Sequence, residues 1–201
     1  MRLLSHHYAA GMARWEPDGR ERLVAAALDL FAERGYDQVT VAEIAERAGL
    51  TRSTFFRHFP DKRDVLAAGQ AWMSGLLVEG IAGAPAEAGP LDAVAAGLDN
   101  VAGSMTSFNR EVAPRVRAVI ASSAELQARD QAKHVSLVAD VAAALQDRGV
   151  PDPVASLAAE IGMLAFRDGF ATWTASDGGP GLVALVREAL EKLRGAVGAL
   201  G

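Results

Sequence analysis

LDLFAERGYDQVTVAEIAERAGLTRSTFFRHFPDKRDVL, residues 28–66, is punctuated as three helices and the start of a fourth. Phe31 closes an apolar series with Leu23, Ala27 and Leu30 at helical spacing, and Gly35 stands where a helix ends on a left-handed glycine. Upstream, Asp18 with Glu21 three residues later predicts a capping box at the start of this first helix. Thr40 with Glu43 predicts a second one, followed by the stripe Val41, Ile44, Ala45 and Ala48 and a stop at Gly49. Thr51 caps a third short helix from Arg52 to about Phe59, which Pro60 ends. Asp61 then caps a longer fourth helix carrying Val65, Leu66, Gly69, Trp72, Met73, Leu76 and Leu77.

Two short helices joined by a tight glycine-containing turn make a helix-turn-helix, whose second helix enters the major groove of DNA. The third helix has side chains suited to that task. Phe55 and Phe59 are four apart, so one face anchors it to a core. Arg52, Ser53, Phe56 and Arg57 point elsewhere, where arginine can pair with guanine or phosphate and a hydroxyl with either base or backbone. Thr40 and Lys62 lie at helix N-termini, where backbone N–H groups favour a phosphate.

The pattern of Phe31, Gly35, Thr40, Ile44, Ala45, Gly49, Thr54, Phe59 and Lys62 closely resembles the DNA-binding signature of the TetR family of transcriptional regulators. The resemblance implies phosphate contacts from Thr40, His58 and Lys62, and base or near-base contacts from Arg52, Ser53, Thr54 and Phe56. Thr51 and Arg57 complete the candidate DNA-binding set. Two residues depart from the family pattern, which commonly has tyrosine at Phe56 and glutamate near Arg63. The first removes a hydroxyl; the second adds a positive charge.

The remainder of the 201 residues fits this frame. Half of them are apolar, enough for a sizeable core, and the richness in Ala, Leu, Glu and Arg favours helix. No cysteine is present, which excludes disulfides and thiolate chemistry. The net charge of −5 argues against nucleic acid only as a sum. Residues 1–64 are balanced, residues 65–201 hold the whole deficit, and within 47–63 five basic residues face only Asp61. No signal-peptide run or 18-residue apolar span occurs, so a cytoplasmic protein without a membrane segment is expected.

After the loop-like GIAGAPAEAGP at 80–90, helical patterns run over 91–108, 111–122, 125–148, 154–176 and 182–200. Pro114 is placed in the first turn of the second of these. The expected fold is all-α, with about nine helices in three parts. These are an N-terminal arm (1–17), a helix-turn-helix domain (18–64), and a ligand-binding and dimerisation domain (65–201). In the arm, His6 and His7 lack a third metal ligand, and Arg2 and Arg14 suggest a minor-groove contact. Neither a metal nor a cofactor is expected.

The resemblance implies a homodimer through the last two long helices, here near 154–176 and 182–200. Val154, Leu157, Ile161, Leu164, Leu185, Leu190, Leu193 and Val197 exceed what one buried stripe needs. It would present two recognition helices to a palindromic double-stranded operator. A small-molecule effector would occupy an apolar cavity. Its candidate lining is Trp72, Met73, Leu76, Met105, Phe108, Val116, Ile120, Met163, Phe166, Phe170 and Trp173, with Asn109, Arg167 and Asp168 as polar contacts. In the expected mechanism the fourth helix, carrying Asp61-Lys62 at one end and Trp72 at the other, couples effector to DNA. A helical carrier without a transcriptional role, or an activator, stays open as an alternative; no catalytic constellation can be defended from spacing, so an enzyme is not expected.

Overall fold

The computed structural model describes residues 18–66, 69–176 and 178–199. The expected arm therefore lies outside the described residues. Those described form nine α-helices and no strand. They are α1 (Gly19–Arg34), α2 (Val41–Arg47), α3 (Arg52–His58), α4 (Gln70–Gly83), α5 (Pro90–Ser104), α6 (Ser107–Ala121), α7 (Ala124–Asp147), α8 (Asp152–Ala175) and α9 (Leu182–Gly198).

Thr40 accepts from Glu43 N–H while the Glu43 carboxylate accepts from Thr40 N–H, so the predicted capping box is present. Thr51 likewise accepts from Thr54 N–H. Asp18 does not cap. Its backbone sits at φ −51, against −101 and −89 for the two threonines, and its side chain makes no cap hydrogen bond.

Three helix boundaries differ from expectation for identifiable reasons. Asp61 caps a short 3-10 turn, Lys62–Val65, and not α4. Gly69 adopts φ +112 and starts α4 afresh, so Asp61-Lys62 and Trp72 stand on separate elements. The α4–α5 loop is shorter than the Gly/Pro/Ala composition suggests, because the Arg148 guanidinium donates to the carbonyls of Ile81, Ala84 and Pro85 at 2.6–3.1 Å and caps the end of α4. The third difference is Pro114, which lies well inside α6 and not in its first turn. The helix starts early because Asn109 Oδ1 accepts from both the N–H and the hydroxyl of Thr106, at 2.8 and 3.0 Å.

Two cores result. One holds the body: α4, α5, α7, α8 and α9 close around Leu77, Ile81, Val94, Leu98, Val141, Leu145, Phe166 and Leu190. Helices α4 and α5 touch backbone to backbone, since a Cβ on Gly80 would fall 2.6 Å from the Ala96 carbonyl oxygen. The other core holds Leu23, Leu30, Phe31, Val39, Ile44, Phe55, Phe59 and Val65. It also takes in Val112 and Val119 of α6 and Leu126 of α7. Helix α6 thus seats the N-terminal helices on the body, and an Arg115–Asp29 ion pair joins α6 to α1. Among the described residues no helix is long and apolar enough to cross a membrane.

Candidate nucleic-acid interface and effector cleft

Helix α3 is anchored by the face the spacing predicted. Phe55 and Phe59 are 0% and 2% exposed, their rings 5.6 Å apart, and each contributes about 1.5–3 kcal/mol by its burial. Arg52, Ser53, Phe56 and Arg57 stand on the opposite, solvent-facing side. Phe56 is 46% exposed, high for an aromatic ring, and the Arg52 guanidinium lies 5.5 Å from its centroid. Arg52 thus rests on a flat apolar platform with its donors turned outward. Among the described residues nothing covers this face, which is open to solvent.

The caps beside it are also exposed. The Thr40 hydroxyl donates to Glu43 at 2.7 Å, and the Thr51 and Thr54 hydroxyls share a 2.9 Å hydrogen bond. The hydrogen bonds from Thr40 hold the Glu43 carboxyl below its ordinary range, so it stays charged and keeps the α2 start fixed. His58 is half-buried beside Gly19 of α1.

Two cations hold the motif from behind. Arg22 of α1 donates through Nη2 to the Ala48 carbonyl at 2.5 Å, tying the first helix to the turn between α2 and α3. Gly49 in that turn has φ +65, and a Cβ there would meet Arg22 Nη2 at 2.9 Å. Lys62 donates through Nζ to the carbonyls of Tyr36 and Val39, both at 2.9 Å, and lies 4.5 Å from the Tyr36 ring centroid. Its ammonium is turned into the α1–α2 loop, whereas Arg52 and Arg57 face outward. Burial opposes the charged Asp61 carboxylate, but hydrogen bonds from Arg63 and the Lys62 N–H overcome that and keep its pKa lowered. Sequence reasoning missed the Arg22 contact, because 26 residues separate donor and acceptor and no local pattern announces it.

The predicted effector residues divide. Trp72, Met73, Met105 and Phe108 come together in one cleft of about 320 Å³, with Asn109 beside them. Its far wall is α1, through Arg20, Glu21 and Val24. Trp72 is 46% exposed there. Ile120 lines a different cleft of about 270 Å³ with Arg63, Leu66, Leu126, Arg129 and Lys133. Burial pulls the Lys133 ammonium below its ordinary pKa. Val116 packs against the N-terminal core, while Leu76, Met163, Phe166, Phe170 and Trp173 pack in the body core. Phe166 stacks on Phe170 at 5.6 Å, and Arg110 lies 5.5 Å from the Trp173 centroid. Arg167 and Asp168 are exposed and near each other.

A helix-turn-helix whose reading face is open and whose back is clamped defines a DNA-binding module. Residues 23–68, which hold the helix-turn-helix, match the model of the bacterial regulatory proteins of the TetR family. Curated relatives include the HTH-type transcriptional regulator TcmR of Streptomyces glaucescens, 33% identical over 124 residues, which are 59% of this chain and 46% of TcmR. The HTH-type transcriptional repressor BepR of Brucella suis is 48% identical over 46 residues, 23% of this chain and 22% of BepR. The chain thus matches less than half the length of these relatives. Among solved structures, a SmeT–triclosan complex superposes with a TM-score of 0.54 at 21% identity, covering 90% of this chain and 91% of that one. The fatty acid degradation regulator FadR from Bacillus halodurans gives 0.51 at 20% identity, covering 89% and 95%. These likenesses support the fold of the described residues, including the helical body.

Proposed function

We propose that this protein is a sequence-specific DNA-binding repressor that acts as a homodimer and leaves its operator when a small apolar molecule enters the cleft beside Trp72. The observation that carries DNA binding is the outward face of α3. Four side chains suited to groove and backbone contacts, Arg52, Ser53, Phe56 and Arg57, share it, on a helix locked by Phe55 and Phe59. In this reading Thr40 and His58 meet phosphates, Thr51 caps α3, Thr54 adds a near-base contact, and Lys62 orders the loop behind the helix.

Dimerisation is supported by an apolar surface at one end of the body. Val154, Leu157 and Val197 are 46%, 54% and 39% exposed, and lie together over a shallow groove with Ile161. They belong to α8 and α9, and a symmetric pairing through those helices supplies the second recognition helix that a palindromic site needs.

Effector release is supported by where the cleft lies. Its walls belong to α1 of the DNA-binding module and to α4, α5 and α6 of the body. A molecule wedged between them binds best at one relative position of the two parts, and so shifts the population away from the DNA-competent spacing. A hundredfold loss of DNA affinity needs roughly 2.7 kcal/mol of such preference. This replaces a continuous fourth helix as the coupling element.

Fluorescence anisotropy with the DNA flanking the protein's own gene, against scrambled DNA and across salt concentrations, tests the reading. Preferential, salt-dependent binding is expected. Equal or absent binding on both, persisting after the protein is unfolded, stripped of ligand and refolded, refutes it in favour of a helical carrier.

A further inference from the structure

The cleft beside Trp72 is apolar on one side only. Trp72, Met73, Met105 and Phe108 offer an aromatic and thioether surface, and Arg20 closes the opposite rim. Among the described residues no carboxylate oxygen comes within 4.0 Å of the Arg20 guanidinium. The group lies instead over the Phe59 ring, 5.5 Å from its centroid. Phe59 is the C-cap residue of α3 and is 2% exposed. Arg20 also lines a neighbouring cleft with His58, Phe59 and Pro60, so one side chain borders both the effector cleft and the end of the recognition helix.

We propose that Arg20 is the anchor for an anionic head group, and that the effector is a flat apolar molecule bearing a single negative charge. This rests on the cleft's being the effector site. Among the described residues this cation is held by a ring face alone, and it gains more from a carboxylate, which accepts two of its N–H donors at once. Glu21 lines the same rim and repels any further negative charge placed there, so this rim favours one carboxylate over two. Pairing draws the guanidinium from Phe59, removing a contact at the C-terminal end of α3. Anion binding is thereby communicated to the reading helix without passing through the body core.

Isothermal titration with 2-naphthoate, 2-naphthalenemethanol and 2,6-naphthalenedicarboxylate tests the assignment. The monocarboxylate should bind about fivefold more tightly than the alcohol, and the dicarboxylate no more tightly than the monocarboxylate. Arg20→Gln, checked for folding by circular dichroism, should abolish the preference, bringing the acid's affinity down to the alcohol's; Arg20→Lys should keep part of it. Equal affinity of acid and alcohol for the wild type, or a preference that survives Arg20→Gln, overturns the anchor and leaves the cleft as effector site. If none of the three probes binds, or if the acid and the alcohol bind Trp72→Ala as well as the wild type, the effector-site reading fails and the anchor with it.

Discussion

The ammonium of Lys62 donates to the carbonyl of Val39 at 2.9 Å, and so joins the 3-10 turn that follows α3 to the loop before α2. A second bond of the same length reaches Tyr36, and the Tyr36 ring lies beneath the charge. This cation closes the motif on itself.

Lys62→Met should therefore lower unfolding free energy by roughly 1–2 kcal/mol, the contribution of hydrogen bonds from a charged group that is partly exposed. Urea denaturation measures it. A variant as stable as wild type, whose DNA binding loses about one unit of salt slope, would instead make Lys62 a phosphate contact.

Arg52→Ala should weaken binding to the operator by about 1–3 kcal/mol and affect scrambled DNA far less, because Arg52 lies at the reading end of α3. Anisotropy on both DNAs separates the two losses. Equal losses would reduce Arg52 to a phosphate contact.

Gly49→Ala places a side chain at φ +65 against Arg22, and should cost about 1–2 kcal/mol of stability. Arg22→Ala should relieve part of this crowding while losing the bond to Ala48, so the double variant should be less destabilised than the two singles summed. Strict additivity would mean that the contact carries no energy.

Burial raises the Tyr36 phenol to about 12 from an ordinary 10.0, with a smaller contribution from Asp61, and among the described residues its hydroxyl has no hydrogen-bond partner. The folded state then holds a proton that the unfolded chain releases. Stability conferred by the neutral phenol is complete below pH 10 and falls between about 10 and 12, by ~2 kcal/mol in all. Tyr36→Phe should flatten this alkaline slope and be near neutral at pH 7, where it removes an unsatisfied buried hydroxyl. An unchanged slope in thermal melts across pH would assign it to other groups.

Leu157→Glu, at a position 54% exposed, should leave the fold intact and shift the protein to a monomer in light scattering after size exclusion. It should also abolish tight operator binding. A variant that remains dimeric would move the interface elsewhere.

The fold class and the exposed face of α3 were legible in the sequence because their causes are local. Caps act over three residues, apolar stripes over one turn, and Gly49 and Pro60 stop helices where they stand; hence Thr40, Thr51, Phe55 and Phe59 behave as their spacing required. What only the tertiary structure decided is which distant groups meet. Apolar periodicity could not separate the four residues of the Trp72 cleft from Phe166 or Leu76, since cavity lining and core carry the same side chains. Nor could it place Arg22 beneath the turn or Arg20 over Phe59, or divert Lys62 from the exposed face. Those depend on how helices dock, which long-range packing and backbone carbonyls left free by the turns determine.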